Sequence, residues 1–452
     1  MPTLMKTTAA RGLRRTACAL GAMLAVCAGA ANAINLQQAY EAALKNDPTY
    51  RMGFYENEAG QENRIIGRAG LLPSVAASYS ASRNRVDQTQ LVGTRELVTH
   101  PQYISRGAVV QLRQPLFNME ATARYRQGVA QSKEAAEKFE SNTDEVAVRV
   151  VGAYVEALFA NDQLALTLAQ RDAYLEHMKV NTRMFEKGEG TKTDMLEIQA
   201  RLDLAEAQVL EAQDAVTASR NTFEGVVGMP VDKLEPLSPQ FQVARLSPAS
   251  FEDWRAIALA NNPELKAARL EIEVREQEVK KVRAGHAPRL DLVASYSNND
   301  AESVSTYTMS TLNRTVGIQL NVPLYSGGQV SAGTRQAVAG RERAKAELDV
   351  RTSRVMVELR KAHSTVISSV ARVDALIKAV NSGNMLMKAT EQSIKGGVRI
   401  NLDLLNAQQQ MVTSQRDLAQ ARYGYLLAIL HLKAAAGTLT GADVTEVATY
   451  FR

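Results

Sequence analysis

Apolar positions recur at alternating steps of three and four in two separate parts of the chain. The first seam runs Met195, Ile198, Leu202, Ala205, Val209, Ala212, Val216, Ser219, Phe223 and Val226; the second runs Leu404, Ala407, Met411, Ser414, Leu418, Ala421, Tyr425, Ala428, Leu432 and Ala435. That is a heptad spacing, which predicts helices packed as coiled coils. Large and small side chains alternate from Leu202 and Ala407 onward, so each large residue can sit over a small one and bring the helix axes close. The two parts are copies of each other. Arg126-Gln127 recur as Arg335-Gln336, Ala130 as Ala339, Gly188 as Gly397, Asp194 as Asp403, Leu196 as Leu405, Gln199 as Gln408 and Gly228 as Gly437, all at an offset of 209.

Four other segments alternate with a period of two. Val75, Ala77, Tyr79 and Ala81 oppose Ala76, Ser78, Ser80 and Ser82; after a polar loop, Ala108, Val110 and Leu112 oppose Val109, Gln111 and Arg113. In the second half Leu290, Leu292, Ala294 and Tyr296 oppose Asp291, Val293, Ser295 and Ser297. In the last segment Val316, Ile318, Leu320 and Val322 oppose Asn313, Thr315, Gly317, Gln319 and Asn321. Each half is thus expected to give one hairpin, with strands of about 10 residues, long enough to cross an outer membrane when tilted. A soluble sandwich resting its apolar face on a helix fits the alternation equally well.

The duplication reaches the first helix. Asn46-Asp47-Pro48 returns as Asn261-Asn262-Pro263 at an offset of 215, and Gly70 and Pro73 return as Gly285 and Pro288. Prolines are absent between Pro115 and Pro230 and again after Pro323, so two stretches of more than 100 residues avoid the main helix breaker. Between Met119 and Lys187, about 69 residues are expected to run as nearly continuous helix, on the order of 100 Å. A helix that long needs partners to bury its seams. The organisation expected is residues 34–250 as a first half, with a helix, a hairpin at about 74–117, a helical hairpin at about 119–228 and a linker at 229–250. Residues 251–452 form the second half, with a helix, a hairpin at about 288–325, a helical hairpin at about 328–436 and a C-terminal tail.

Composition matters mainly at the N-terminus. Lys6, Arg11, Arg14 and Arg15 precede an apolar run from Ala17 to Ala31, and Ala31-Asn32-Ala33 is a small-x-small cleavage site. Residues 1–33 therefore read as a secretory signal peptide. The run is too short for a membrane anchor, and the bulky Val26 beside Cys27 argues against a lipidation box. Removing those residues takes four basic side chains and both cysteines, leaving about 419 of the 452 residues with a net charge near +1 in place of +5. The basic pI is then no sign of nucleic-acid binding. An exported chain without cysteine needs neither disulfides nor thiolate metal sites. No later apolar run is long enough for a spanning helix, so entry into a membrane requires a β-barrel. Export and helix length favour the barrel over the sandwich.

Each long helix is expected to end at a glycine turn, Gly188-Glu189-Gly190 in the first half and Gly396-Gly397-Val398 in the second, with Thr191 or Asn401 capping the next helix. The capping reading accounts for the glycines and threonine. It accounts less well for Asp194 and Asp403, each six residues past the aligned glycine.

Together, the duplicated halves, the Asn-x-Pro helices, the two strand pairs and these turns resemble the TolC family of outer-membrane export channels, over essentially the whole mature chain. The resemblance implies a mixed α and β fold with four antiparallel strands per chain. In a homotrimer these make a 12-stranded barrel in the outer membrane of a Gram-negative type envelope, above a periplasmic α-barrel of coiled-coil helices. It implies a passive conduit for type I protein secretion or multidrug efflux, working with a periplasmic adaptor and an inner-membrane ABC or proton-driven transporter, and no cofactor or metal. It places Asp403 and Asn406 in the periplasmic entrance ring, pairs Arg399 with Asp194 as a gate link, and makes the 188–190 and 396–398 turns adaptor contacts. Asn406 and Ile394 depart from the family pattern, where a second acid and a tyrosine are common, which implies a less cation-attracting and less tightly latched constriction.

The five histidines, 100, 177, 286, 363 and 431, never fall at metal-ligand spacing, and no nucleotide loop or catalytic triad order appears, so enzyme activity is not expected. Tyr79, Tyr103, Phe117, Tyr296, Tyr307 and Tyr325 gather in the strand segments, as interfacial girdles or as cross-strand packing. The other functional class that fits heptads and export is a coiled-coil scaffold or periplasmic adaptor with no pore.

Overall fold

The computed structural model describes residues 33–188, 190–301, 309–396, 398 and 401–451. The expected signal peptide, Glu189, Tyr307, Gly397 and Arg399 lie outside the described residues, apart from Ala33.

Helices α1 (Leu36–Asn46) and α2 (Pro48–Ala69) lead into strand β1 (Ser74–Arg85). A small hairpin, β2 (Gln88–Val92) and β3 (Arg95–Thr99), precedes β4 (Gln102–Phe117). Then come α3 (Met119–Glu186) and α4 (Lys192–Val227). The second half repeats the order with α5 (Phe251–Asn261), α6 (Pro263–Arg283), β5 (Arg289–Ala301), β6 (Met309–Asn321), α7 (Gln329–Lys395) and α8 (Asn401–Ala436), and ends with the short α9 (Gly441–Ala448). The 68 residues of α3 and 67 of α7 make helices about 100 Å long at 1.5 Å per residue. Among the described residues no helix is long and apolar enough to cross a membrane.

The two sequence repeats explain each other once folded. Asp47 caps α2 by accepting from Thr49 N–H at 2.7 Å, and Asn262 caps α6 by accepting from Leu265 N–H at 3.0 Å, each just before a proline at the first helical position. The glycine ending each hairpin, Gly228 or Gly437, lies against the same Asn-x-Pro break. Asn46 donates to Val227 O at 3.2 Å and Asn262 donates to Ala435 O at 3.0 Å. Both motifs recur because in each half they form one joint.

That joint lies in the main core, at the middle of the long helices. Val146, Val150, Val151 and Tyr154 of α3 pack with Phe223 of α4, Leu359 and Val366 of α7, and Leu426, Leu430 and Leu432 of α8. Residues 229–250 are strapped into this core. Val231 and Phe241 are buried, and the Tyr154 hydroxyl donates to Glu235 O at 3.0 Å while lying 3.1 Å from Glu235 N–H. The heptad seam of α4 buries Ile198, Leu202, Ala205, Val209, Ala212 and Phe223, then steps to Val227 instead of Val226. The α8 seam holds too, but Leu405, Tyr423, Leu426 and Leu430 are buried beside it, because α8 packs on α3 as well as on α7.

The strands form one antiparallel sheet in the order β1-β4-β5-β6, with β1 and β6 as free edges. Its register puts Val75, Leu112, Ala294 and Val316 in one row and Ala77, Val110, Tyr296 and Arg314 in another, so the apolar positions of all four strands share a face. The opposite face carries rows such as Ala76, Gln111, Ser295 and Thr315. On it Asp291, 2% exposed, accepts from Arg113 Nε at 3.0 Å and Nη2 at 2.5 Å. The strands are 12, 16, 13 and 13 residues long, more than the expected ten.

The segment expected as a polar loop forms the β2–β3 hairpin around Gly93. Its faces are mixed, Leu91 lying across from Glu96 and Gln90 from Leu97, so it carries no period-two signal. A register shift between Pro115 and Phe117 moves Phe117 onto the apolar face, whereas Tyr103, opposite Asn84, lies on the polar one.

Candidate functional site

The ends of the helical hairpins farthest from the sheet hold most of the predicted site residues. Lys187 ends α3 and Gly396 ends α7 with matching backbone, φ −86° and −84°. Gly188 follows in the left-handed region at φ 76°. At Gly190 an added Cβ would meet the Phe185 backbone nitrogen at 3.1 Å, so this glycine lets the chain turn back on its own helix. In the second turn Val398 N–H donates to Ser393 O at 3.0 Å and its side chain is 81% exposed.

Thr191 caps α4 as expected, its hydroxyl accepting from Asp194 N–H at 3.1 Å. Helix α8 begins at Asn401. Asp194 and Asp403 are each the third residue of their helices, α4 and α8. A carboxylate in the first turn complements the positive end of the helix dipole, which accounts locally for the recurrence of both. Asp194 is exposed and Asp403 half-buried.

One turn beyond Asp403, Asn406 is exposed and accepts from Arg201 Nη2 of α4 at 3.0 Å, while the same guanidinium reaches Glu197 at 3.2 Å. Arg201 was not evident from the sequence. Nor were two further ties between the hairpins. Tyr174 donates to Gln409 Oε1 at 3.2 Å, with Gln170 bonded to both, and Gln408 Nε2 lies 3.0 Å from His177 Nε2. Burial pulls the His177 pKa down, against the smaller opposing effects of Gln408 and Glu391, so a neutral ring nitrogen accepts from the amide. Gln170, Tyr174 and His177 are spaced by four and three on one stripe of α3, and that spacing of polar groups where a seam is expected was the available signal. Among the described residues the apolar cluster at this end is small, Tyr174, Ile198, Leu202, Ala205 and Leu405, with Leu175 and Met178 packed against it and Leu404 and Ala407 buried nearby.

A sheet with one apolar and one polar face, standing on a helical stem of about 100 Å, is the layout of a conduit through an envelope. Residues 39–229 and 254–438 match the family described as "Outer membrane efflux protein", one segment in each half of the duplication. The chain is 42% identical to the alkaline protease secretion protein AprF of Pseudomonas aeruginosa, over 95% of this chain and 90% of that protein. It is 38% identical to the proteases secretion protein PrtF of Dickeya chrysanthemi, over 97% and 96%. The crystal structure of the outer membrane protein VceC from Vibrio cholerae shares the fold, with a TM-score of 0.75 at 17% identity, covering 89% of this chain and 96% of that one. The chain belongs to the outer membrane efflux protein family, the TolC family of export channels. It is an outer-membrane export channel with a periplasmic extension, and the scaffold without a pore is set aside.

Proposed function

We propose that three copies of this chain enclose one continuous duct, twelve strands through the outer membrane and twelve long helices through the periplasm, and that its cargo is polypeptide. The carrying observation is the sheet. Its apolar face is continuous across four strands, its other face is polar, and both edges are open. Open edges are not tolerated in lipid, and four strands cannot close a barrel, so further copies must pair with β1 and β6. Polypeptide cargo is supported by the two relatives of 42% and 38% identity, both named for protease secretion. The duct is passive and performs no catalysis. A periplasmic adaptor seated on the 188–190 and 396–398 turns, and an inner-membrane ABC transporter behind it, supply recruitment and drive; a proton-driven pump is the counterpart for small-molecule efflux.

The periplasmic end is the gate in this reading. Asp403 and Asn406 form the entrance ring, and Arg399 reaches Asp194 of a neighbouring hairpin to hold the ring shut. An exposed pair of this kind contributes about 0 to 1 kcal/mol, weak enough for a partner to release. In planar bilayers Asp194→Ala is expected to raise single-channel conductance, and unchanged conductance removes the link. The duct itself is tested by purification, which should yield a heat-modifiable trimer that makes liposomes permeable. A monomer that leaves them sealed refutes it. The cargo is tested by restoring alkaline protease export to a Pseudomonas aeruginosa strain lacking AprF. Export of small drugs without the protease would overturn the polypeptide assignment alone.

A further inference from the structure

Among the described residues, every charged one on the apolar face of the sheet lies in the half away from the helices. Counting along the register, that face carries Arg83 and Arg85 on β1, Arg106 on β4, Asp300 on β5 and Arg314 on β6. From Arg314 toward the helices the rows hold Val75, Leu112, Ala294 and Val316, then Gln114, Leu292 and Ile318, then Phe117, Leu290 and Leu320, with no charge. A charged side chain facing lipid is costly at mid-bilayer and nearly free at the interface, so the arginines mark the outer interface. Two exposed tyrosines agree with that level, Tyr79 at 70% and Tyr296 at 48%. Arg314 lies over the Tyr296 ring, 5.7 Å from its centroid, an arrangement that lets it reach up from the edge of the apolar belt.

The other three rise beyond the tyrosines. Arg106 is one row out from the Tyr79 row, and Arg83 and Arg85 lie four and six residues past Tyr79, about 13 and 20 Å along the strand at 3.3 Å per residue. All four side chains are exposed, and among the described residues Arg83, Arg85 and Arg106 have no hydrogen bond or ion pair. Asp300, opposite Arg106 in the register, is the single acid on this face among the described residues. Among the described residues the patch is therefore a column of four guanidinium groups facing one carboxylate, confined to the end of the apolar face away from the helices. Closing the barrel sets β1 of one copy beside β6 of the next, which joins Arg83 and Arg85 to the strand bearing Arg314.

We propose that this column is a binding site for the phosphorylated glycolipid of the outer leaflet, with Arg314 and Arg106 at the level of its sugar phosphates and Arg83 and Arg85 at the level of charges farther out. Guanidinium suits this ligand because its planar fork pairs with phosphate through two parallel hydrogen bonds. The confinement to one side is the discriminating fact, since a general attraction to anionic lipid would place arginines at both rims. The inference rests on the apolar face being lipid-facing.

The test uses the purified trimer in detergent, checked for heat-modifiability and for channels in planar bilayers so that a failed barrel is distinguishable from a failed lipid site. Native mass spectrometry then compares bisphosphorylated lipid A, the same lipid A with both phosphates removed, and phosphatidylglycerol. The wild-type trimer is expected to retain the bisphosphorylated form at least about ten-fold better than either of the others. The Arg83→Gln, Arg85→Gln, Arg106→Gln, Arg314→Gln variant is expected to lose that preference while still forming channels. Equal retention of phosphorylated and dephosphorylated lipid A by the wild-type protein overturns the site, whatever the variant does. Equal retention of phosphatidylglycerol overturns the glycolipid assignment, and an assembled variant with undiminished preference overturns the role of the arginines.

Discussion

Gly437 and Gly188 share a left-handed backbone, with φ of 68° and 76°, and differ in everything around it. Gly437 ends α8 at the middle of the molecule, where an added Cβ would lie 2.5 to 2.6 Å from backbone atoms of Asn261 and Asn262. Gly188 ends α3 at the periplasmic tip, where an added Cβ meets nothing within 4 Å. The same turn chemistry serves a packed joint at one place and an open loop at the other. The side chains follow suit. The middle is fixed by Tyr154, Phe223, Phe451 and a broad apolar cluster, with Tyr154 5.6 Å from Phe223 and 5.3 Å from Phe451. Among the described residues the tip has an apolar cluster of five buried residues, with Leu404 and Ala407 buried nearby, and is tied by amides, a tyrosine, a histidine and an arginine. Dense apolar packing has one good arrangement, whereas exchangeable hydrogen bonds near water have several of similar energy, so the helices can part at the tip while staying registered above it.

The largest expected effect breaks the joint. Gly437→Ala carries the left-handed cost of about 1–2 kcal/mol and overpacking of about 1–3 kcal/mol against backbone that cannot rotate away. Gly188→Ala carries only the first. The temperature at which the proposed trimer dissociates on gels should drop markedly for Gly437→Ala and slightly for Gly188→Ala. Equal drops would mean that the tip turn is as packed as the joint.

A smaller effect comes from a carboxyl buried beside the core. Asp144 of α3 lines an open cavity of about 520 Å³ together with Glu145, Glu264, Glu358, Lys361 and His431. Burial first, then Glu140 and Asp443, push its pKa from 3.8 up to about 7. A carboxyl whose folded-state pKa exceeds its unfolded one holds more proton when folded, so its ionisation weakens the fold as pH rises from about 4 to about 7. The dissociation temperature should therefore be higher near pH 5.5 than near pH 8, and Asp144→Asn should raise the value at pH 8 and flatten the difference. A pH profile unchanged by this substitution would refute the account.

Much of this arrangement was legible in the chain because duplication supplies its own alignment. The offsets of 209 and 215 identified both hairpins and both Asn-x-Pro breaks, and strands with one apolar face declared themselves by alternation. The β2–β3 hairpin did not, because Leu91 faces a row shared with Glu96 and neither side of it is apolar. Phe117 changed face through a register shift that no local pattern announces. At the tip, Asp194 and Asp403 were visible as repeats, since a first-turn acid is a local helix signal. Arg201 and the His177–Gln408 pair were not, because their partners lie 205 and 231 residues away and polar ties follow no period.

The smallest effect on stability should come with a clear effect on opening. Arg201 is partly exposed, bonded to Asn406 on one side and paired with Glu197 one turn back on its own helix. Removing it as Arg201→Ala costs less than about 1 kcal/mol by the usual worth of exposed charge pairs, so the dissociation temperature should hardly move. The contact it loses joins α4 to α8 beside the proposed entrance ring, so single-channel conductance should rise. Combining it with Asp194→Ala distinguishes the two ties. Links that hold separate contacts should add in conductance, while a shared latch should give no more than the stronger single variant. A rise in conductance accompanied by a large loss of heat stability would mean that Arg201 is part of the packing, and the division between a fixed middle and a releasable tip would have to be redrawn above α4 residue 201.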